Sequence, residues 1–270
     1  MLVIFAIMER SSTESSEGAE PEIRVQLCGP LIVDVLGRRV EAGLPRRQGR
    51  LLFAYLLLNR HRLVPRDELI DALWGDDLPN GADGALSVLI SKTRAALKPL
   101  QLEGRGHLRL LMPDKAQIDV EIAQESLHRA EAAIAKMSWY NAYVAGLAAS
   151  QIADRRFLVE CEANWVEDRR RILEDVWIRA TESYGIACLE IGGAELRAAE
   201  RVGAQLVQRS PYRESCHRLL MRAHAAAGNP AEGLRAYEQL RELLRTELGV
   251  EPDRSTQHVY LQLLGASDPA

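Results

Sequence analysis

The sequence predicts a mainly α-helical protein with two parts. Small β-sheets and three helices are expected over residues 21–113, and an all-α helical-repeat domain over residues 114–266. Short stretches that alternate apolar and polar residues, typical of strands, occur at residues 22–43 and 102–112. The second half is nearly all helical, and it repeats a helix of about 16 residues, a Gly-Asn or Gly-Gly break, a second helix and a turn with Pro, the pattern of helix-hairpin repeats.

The composition predicts a soluble, cytoplasmic protein. Its 270 residues, of which 47% are hydrophobic, are enough for two modest domains with their own cores. Residues 1–20 include a Ser/Glu-rich stretch and are predicted to be a disordered N-terminal segment. The apolar run at Met1–Phe5 is too short for a signal peptide or a membrane span. Four scattered cysteines without a C-x-x-C pair indicate free thiols in a reducing compartment.

The first part begins with strands. Residues 23–27 alternate apolar and polar side chains, and residues 31–35 form a second apolar run after a Gly-Pro break. Leu36–Arg39 predicts a hairpin turn, after which Val40 is expected to resume the sheet. We therefore expect a small N-terminal sheet ahead of the helices.

Helices and a hairpin follow these strands. Residues 46–59 carry apolar side chains on most faces, which indicates a helix in the middle of a small core. Pro65 suits the first position of a second helix, Arg66–Trp74. Its predicted buried side chains are Leu69, Ile70, Leu73 and Trp74. Residues 102–112 predict a hairpin with Gly104-Arg105-Gly106 at its tip, so the order of elements is that of a winged helix-turn-helix.

The third helix, predicted over Asn80–Lys98, has two contrasting faces. Asn80 suits the N-cap, and Pro99 ends the helix. Helical spacing places five residues on a face built for burial: Leu86, Leu89, Ile90, Thr93 and Leu97. The opposite face has short or basic side chains: Gly84, Ser87, Val88, Ser91, Lys92 and Ala95. Such a face suits entry into a DNA major groove about 12 Å wide, and the alternative is an ordinary solvated helix face.

The net charge of −4 hides an asymmetry between the two parts. Residues 20–113 carry 14 Lys and Arg against 11 Asp and Glu, whereas residues 114–270 carry 19 against 24. The basic residues of the first part cluster in sequence at Arg46–Arg50, Arg60–Arg62 and Lys92–Lys98. We therefore expect DNA to meet the first part of the chain alone.

Several motifs carry a family resemblance. The segments L-I-D-A-L-W-G at Leu69–Gly75 and A-L-S-V-L-I-S-K-T-R-A-A-L at Ala85–Leu97, with the glycine-bracketed hairpin, resemble the DNA-binding domain of OmpR-type regulators. C-G-P-L at Cys28 and R-R-Q-G-R-L-L-F-A-Y-L-L-L-N at Arg46 are similar to the Streptomyces antibiotic regulatory protein family of transcriptional activators. The resemblance covers the first 113 residues closely and the second half more loosely.

The resemblance implies a set of DNA contacts. Four residues of the third helix fall on family positions that reach the major groove or its phosphates: Ser87, Ser91, Lys92 and Arg94. Arg105 at the hairpin tip would enter the minor groove, and Arg109 would contact a phosphate. Candidate phosphate contacts near helix N-termini are Arg46, Arg47 and Arg66. His107, where the family has Tyr, is expected to be a packing residue.

The resemblance also implies partners. The loop Gly75–Asn80 is similar to the polymerase-touching loop of OmpR-type activators, and its Asp76 and Asp77 suit a basic surface of the RNA polymerase holoenzyme. Because one wing-helix unit reads few base pairs, two copies are expected to associate on direct repeats of promoter DNA. The implied function is a sequence-specific activator that recruits RNA polymerase.

The second half is predicted to be helical throughout. Helices are expected at residues 118–136, 138–153, 162–191, 194–209, 211–228, 230–247 and 253–264. Ala223–Leu240 resembles a tetratricopeptide hairpin, and stacked hairpins of this kind leave a groove for a peptide or small ligand. The closing E-L-G-V-E-P-D-R-S-T at Glu247–Thr256 is similar to the bacterial transcriptional activation domain of the same family.

Catalysis is not expected. The sequence contains no H-E-x-x-H, G-x-S-x-G, G-x-G-x-x-G or G-x-x-x-x-G-K-[ST] motif, and neither a cofactor nor a metal is predicted. The competing hypothesis is a helical-repeat interaction or sensor protein in which the winged helix binds protein instead of DNA. A salt-steep preference for one promoter would distinguish the activator from this alternative.

Overall fold

A computed structural model describes residues 23–265, and the predicted disordered segment, residues 1–20, lies outside the described residues. The chain divides into two compact units. The first contains the described residues up to Ile122 together with Ile152–Leu173, and the second contains Ala123–Gln151 and the residues from Glu174 onward.

The first unit opens with a four-stranded sheet. Its strands are β1 (Ile23–Gln26), β2 (Ile32–Val35), β3 (Arg38–Arg39) and β7 (Gln117–Ile118). Val25 pairs with Val33 in antiparallel register and with Ile118 in parallel register, and all three side chains are buried. Val40 does not resume the strand as expected. It precedes a short 3-10 helix, Glu41–Gly43.

Three helices and a second sheet complete the winged helix-turn-helix, which confirms the predicted fold. The helices are α1 (Arg46–Leu58), α2 (Arg66–Trp74) and α3 (Ala82–Ala96). The wing strands are β4 (Val64–Pro65), β5 (Gln101–Glu103) and β6 (His107–Leu111), in the order β4-β6-β5.

Helix α1 lies at the centre of this core, as its apolar composition predicts. Leu51, Leu52, Phe53 and Leu57 have no exposed surface. In α2, Leu69 and Leu73 are buried, whereas Ile70 and Trp74 are half-buried, contrary to the expectation. Pro65 stands at the N-cap of α2 and pairs in β4, so it is not the first helical residue.

Residues far along the chain complete the first sheet. The buried carboxylate of Asp119 accepts hydrogen bonds of 2.9 Å from the backbone N–H groups of both Leu27 and Cys28. Leu158 donates from its backbone N–H to Leu27 O at 2.8 Å, and Cys28 forms an antiparallel bridge with Phe157. The segment after residue 152 is therefore part of the winged-helix core.

The remaining helices follow the predicted order closely. They are α4 (Asp119–Ala135), α5 (Trp139–Ala153), α6 (Asn164–Ile191), α7 (Leu196–Arg209), α8 (Glu214–Ala226), α9 (Pro230–Leu248) and α10 (Arg254–Gly265). Helices α8 and α9 pack closely because Gly233 lacks a side chain. A Cβ at Gly233 would lie 2.8 Å from the carbonyl oxygen of Met221, which is shorter than a van der Waals contact.

All four cysteines are free and buried. Within residues 23–265, none of the helices has the length and apolar character needed to cross a membrane.

Candidate nucleic-acid interface

Helix α3 presents the two faces that its spacing predicts. The side chains on its inner face are buried: Leu86, Leu89, Ile90, Thr93 and Leu97. The opposite residues are exposed: Gly84, Ser87, Val88, Ser91, Lys92 and Ala95. The predicted cap is wrong, because α3 begins at Ala82 and its N-cap is Gly81, in the left-handed region at φ 72°.

Gly84 and Val88 belong to this outer face although they were not among the predicted contacts. A Cβ at Gly84 would meet nothing within 4 Å, so no contact within the described chain requires glycine there. The Val88 side chain is 56% exposed. Their membership in the same helical stripe as Ser87 and Ser91 is the signal that identifies them.

Arg66, at the start of α2, reaches the first turn of α3. Its Nε donates to Asp83 Oδ1 at 2.7 Å, and its Nη2 donates to Asp83 O at 2.8 Å and to Ser87 Oγ at 2.9 Å. Ser87 Oγ also donates to Asp83 O at 2.9 Å. The hydroxyl of Ser87 is therefore held in one orientation on the outer face.

Arg94 connects α3 to the wing. Its Nε donates to Leu102 O at 2.8 Å, and its Nη2 donates to Gly104 O. Gly104 has φ +93°, and a Cβ there would lie 1.8 Å from His107 O, so the wing turn requires glycine at this position. The guanidinium of Arg94 thus points to the hairpin backbone.

The wing itself presents two basic side chains and one imidazole. Arg105 is exposed at the tip between β5 and β6, as predicted. His107 is also exposed, so the expectation of a packing role is wrong. Arg109 is half-buried opposite Glu103, and its Nε is buried without a hydrogen-bond partner among residues 23–265.

A basic cleft of about 700 Å³ lies between the end of α3 and the start of α1. Its lining residues are Gly43, Pro45, Arg46, Arg47, Gln48, Lys92, Ala95 and Ala96. Arg46, Arg47 and Lys92 are exposed, and Arg47 Nη2 donates to the carbonyl oxygen of Glu162. The structure thus brings Lys92 close to Arg46 and Arg47, two predicted contacts from a distant part of the sequence.

Ion pairs divide the basic residues of this unit into two groups. The arginines with carboxylate partners include Arg39–Glu41, Arg50–Glu160, Arg60–Glu121, Arg62–Glu68, Arg66–Asp83, Arg155–Asp119, Arg170–Glu167 and Arg171–Asp168. Within the described part of the chain, no ion pair is found for Arg46, Arg47, Lys92, Arg94 or Arg105. These five basic residues lie on α3, the wing and the start of α1.

The loop between α2 and α3 presents an acidic surface. Asp76 and Asp77 are both exposed, and Leu78 beside them is 57% exposed. The N–H of Gly75 closes the end of α2 by donating to Asp71 O at 2.8 Å. The two carboxylates are thereby held outside the helix, where a partner can reach them.

Comparison with known families identifies the second half of the chain. The bacterial transcriptional activator domain matches residues 118–264. The chain belongs to this family. The family described as transcriptional regulatory protein, C terminal, matches residues 41–105, which contain α1, α2 and α3. A winged helix of this type followed by this activator domain confirms the resemblance to the Streptomyces antibiotic regulatory proteins.

Individual members of the family are similar over most of this chain. Regulatory protein AfsR of Streptomyces coelicolor is 31% identical over 95% of this chain, which corresponds to 25% of AfsR. Transcriptional regulatory protein MoaR1 of Mycobacterium tuberculosis is 26% identical over 90% of this chain and 79% of its own length. The chain therefore spans about a quarter of the length of the AfsR proteins that it matches.

A solved structure shares the fold. Mycobacterium tuberculosis EmbR, determined in complex with a low affinity phosphopeptide, superposes with a TM-score of 0.78 at 24% sequence identity. The similarity covers 93% of this chain and 67% of the EmbR chain. This likeness supports the mainly α-helical fold of a winged helix with a helical-repeat domain.

Proposed function

We propose that this member of the bacterial transcriptional activator domain family binds promoter DNA in a sequence-specific manner and activates transcription. The outer face of α3 carries the proposal: it is exposed, short and basic, and its one acidic residue, Asp83, lies in the first turn. Small side chains permit close approach to base edges, and the unneutralised cations nearby suit the phosphates on either side.

The proposed base contacts come from the middle of α3. Ser87, Ser91 and Lys92 are exposed hydrogen-bonding groups on successive turns of one face. Lysine suits the O6 and N7 acceptors of guanine, and Ser91 can donate to or accept from several bases. Ser87, whose hydroxyl donates to Asp83 O, would act as an acceptor. Val88 lies among them and offers an apolar surface for a thymine methyl group.

The proposed phosphate contacts flank this face. Arg46 and Arg47 line the basic cleft together with Lys92, and Arg109 lies on strand β6 of the wing. Arg105 at the wing tip would enter the adjacent minor groove, as the family resemblance implies. Counterion release from these contacts would supply much of the affinity and make it strongly salt-dependent.

Activation is proposed to follow from two further contacts. The exposed pair Asp76 and Asp77 would meet a basic surface of the RNA polymerase holoenzyme. Two copies of the chain would associate on direct repeats, because a single recognition helix reads few base pairs. Complementary charge on an exposed loop favours rapid and specific association.

The proposed DNA binding can be tested with the DNA that lies upstream of the gene encoding this chain. Fluorescence anisotropy across a salt series should show tighter binding to this DNA than to unrelated DNA. Lys92→Ala should weaken specific binding by about tenfold or more. Lys136→Ala, an exposed lysine of the second unit, should leave it unchanged. Equal binding to both DNAs at every salt concentration would favour the interaction-protein alternative.

The polymerase contact is tested separately. The double variant Asp76→Lys/Asp77→Lys should lose activation in run-off transcription while it binds promoter DNA as the wild type does. Asp114→Lys, in an exposed turn of the same unit, is the matched control and should activate normally. Loss of DNA binding in the double variant would contradict the assignment of these residues to polymerase.

The proposed site for the predicted peptide or small ligand is a cleft in the helical-repeat unit. A cleft of about 590 Å³ lies between α6, α8 and α10. Arg254 and His258 are exposed at its edge, and Leu219 and Val259 form an apolar floor. This combination favours a ligand with an acidic group on an apolar body. Isothermal titration with octanoate should give binding to wild type that Arg254→Ala weakens and Arg235→Ala does not.

A further inference from the structure

Arg66 joins three elements of the winged helix. It is the first residue of α2. In α3 it donates to the carboxylate and the carbonyl oxygen of Asp83 and to the hydroxyl of Ser87. Its remaining nitrogen, Nη1, donates a longer bond of 3.4 Å to the carbonyl oxygen of Arg105 at the wing tip. All three nitrogens of the guanidinium therefore have partners within the protein, and the side chain is only 21% exposed.

Arg94 makes a second connection to the same hairpin. It leaves α3 two turns after Ser87 and binds the carbonyl oxygens of Leu102 and Gly104 on the first wing strand and the turn. Both arginines thus bind backbone carbonyls within four residues of one another, on the segment that carries Arg105. Between them they attach the wing to the recognition helix from both ends.

A phosphate contact would require a different use of these side chains. Bidentate binding of a phosphate needs two parallel N–H groups of one guanidinium directed at the ligand. In Arg66, Nε and Nη2 are directed at Asp83, whose negative charge already neutralises the guanidinium. If Arg66 turned to a phosphate, it would break its hydrogen bonds to Asp83. The Asp83 carboxylate would then lie unpaired beside the incoming phosphates, and the repulsion between these negative charges would oppose binding.

We infer that Arg66 and Arg94 are positioning residues that hold the wing against α3 before DNA arrives. Their effect on DNA binding is indirect. Arg66 holds the hydroxyl of Ser87, and both arginines hold the hairpin backbone that carries Arg105. This inference rests on the proposed function, and it revises the prediction that both arginines contact DNA themselves. A wing that is already ordered loses less conformational entropy on binding, so the affinity gained from Arg105 is larger.

Charge-preserving variants test the inference without DNA. Lysine keeps the positive charge but lacks the planar guanidinium whose separate nitrogens reach acceptors in different directions. We expect Arg66→Lys and Arg94→Lys to speed hydrogen exchange of the amides at residues 103–108 by about fivefold to tenfold. Arg62→Lys is the control, because Arg62 binds Glu68 and Asn59 and not the wing. Unchanged wing exchange in both variants would overturn the inference even if the chain did not bind DNA.

A double-mutant cycle tests the same inference on DNA. Arg66→Lys should weaken specific binding by about tenfold in the wild-type background but by less than about twofold in an Arg105→Ala background. If Arg66 contacts a phosphate directly, lysine should retain most of the affinity and the two losses should multiply. Multiplying losses would overturn the inference, whereas absence of specific binding by the wild type would refute the proposed function instead.

Discussion

The indole Nε1 of Trp165 donates a hydrogen bond of 3.0 Å to the carbonyl oxygen of Ala72, on the second helix of the winged-helix fold. The same indole packs edge-to-face against Tyr55 of α1, with ring centroids 5.2 Å apart, and against Phe157 at 6.2 Å. The first turn of α6, which the sequence assigns to the helical-repeat domain, therefore belongs to the core that supports α1 and α2.

Trp165 should make a measurable contribution to stability. Trp165→Phe removes the hydrogen bond and part of the ring and should lower the free energy of unfolding by about 1–2 kcal/mol. Trp165→Ala also removes the ring contacts and should cost about 3 kcal/mol. Urea unfolding followed by circular dichroism measures both. Tyr140→Ala, at a side chain that is 75% exposed, should stay within about 0.5 kcal/mol of wild type. An equal loss in all three variants would contradict this role.

A fragment that ends at residue 113 should not fold cooperatively. It lacks the Asp119 carboxylate that binds the N–H groups of Leu27 and Cys28, and it lacks Phe157, Leu158 and Trp165. Urea titration of residues 21–113 should give a broad transition or none, whereas the full chain should show a sharp one. A sharp transition in the fragment, at the denaturant concentration of the full chain, would contradict this dependence.

Local patterns in the sequence predict the elements but not this long-range packing. The faces of α3 follow from the spacing of Leu86 and Ile90 against Ser87 and Ser91, because a helix repeats every 3.6 residues. The carboxylate of Asp119 lies 92 positions from Leu27 in the chain, and no periodicity connects them. The boundary at residue 113 stays a prediction, made from the end of the predicted hairpin and from the family resemblance.

The sequence pattern also does not show which basic residues form ion pairs. Arg46, Arg47 and Arg50 form one cluster in sequence, but Arg50 pairs with Glu160 whereas Arg46 and Arg47 line the basic cleft. A count of basic residues consequently overstates the charge available to DNA. The pairing of Arg50 and Arg60 depends on Glu160 and Glu121, which come from distant segments of the first unit.

Removing the hydroxyl group of Thr93 should stabilise the folded protein. It is fully buried under α3, and its Oγ1 has no hydrogen-bond partner among the described residues. Thr93→Val keeps the shape and should raise the free energy of unfolding by about 1 kcal/mol, with unchanged DNA binding. Thr256→Val is the contrast, since Thr256 Oγ1 accepts a bond of 3.0 Å from Arg218. That variant should lose about 1–2 kcal/mol, and stabilisation of both proteins would contradict the argument.

His217 should make stability depend on pH. Burial lowers the pKa of His217 below its ordinary value. Its Nε2 bonds the carbonyl oxygen of Pro211 at 2.9 Å, and its Nδ1 is buried without a partner in the described chain. The unfolded chain therefore takes up a proton first as pH falls through about 6.5, and stability is lost below that value.

The measurement is thermal unfolding of wild type and His217→Gln at pH 7.5, 6.5 and 5.5. Wild type should lose more stability than the variant between pH 6.5 and 5.5, because the glutamine has no proton to take up. Between pH 7.5 and 6.5 the stability of wild type and that of His217→Gln should change by nearly the same amount. Parallel curves over the whole range would show that His217 titrates alike in the folded and unfolded chains.

The claim that the outer face of α3 reads base edges is tested most directly by selection from a randomised DNA library. Wild type should select a defined repeat. Lys92→Ala should lose the preference at one or two base pairs of each repeat while the remaining positions stay as selective as before. The same selected sequence from both proteins would contradict the claim, because α3 would then bind DNA without reading it through this face.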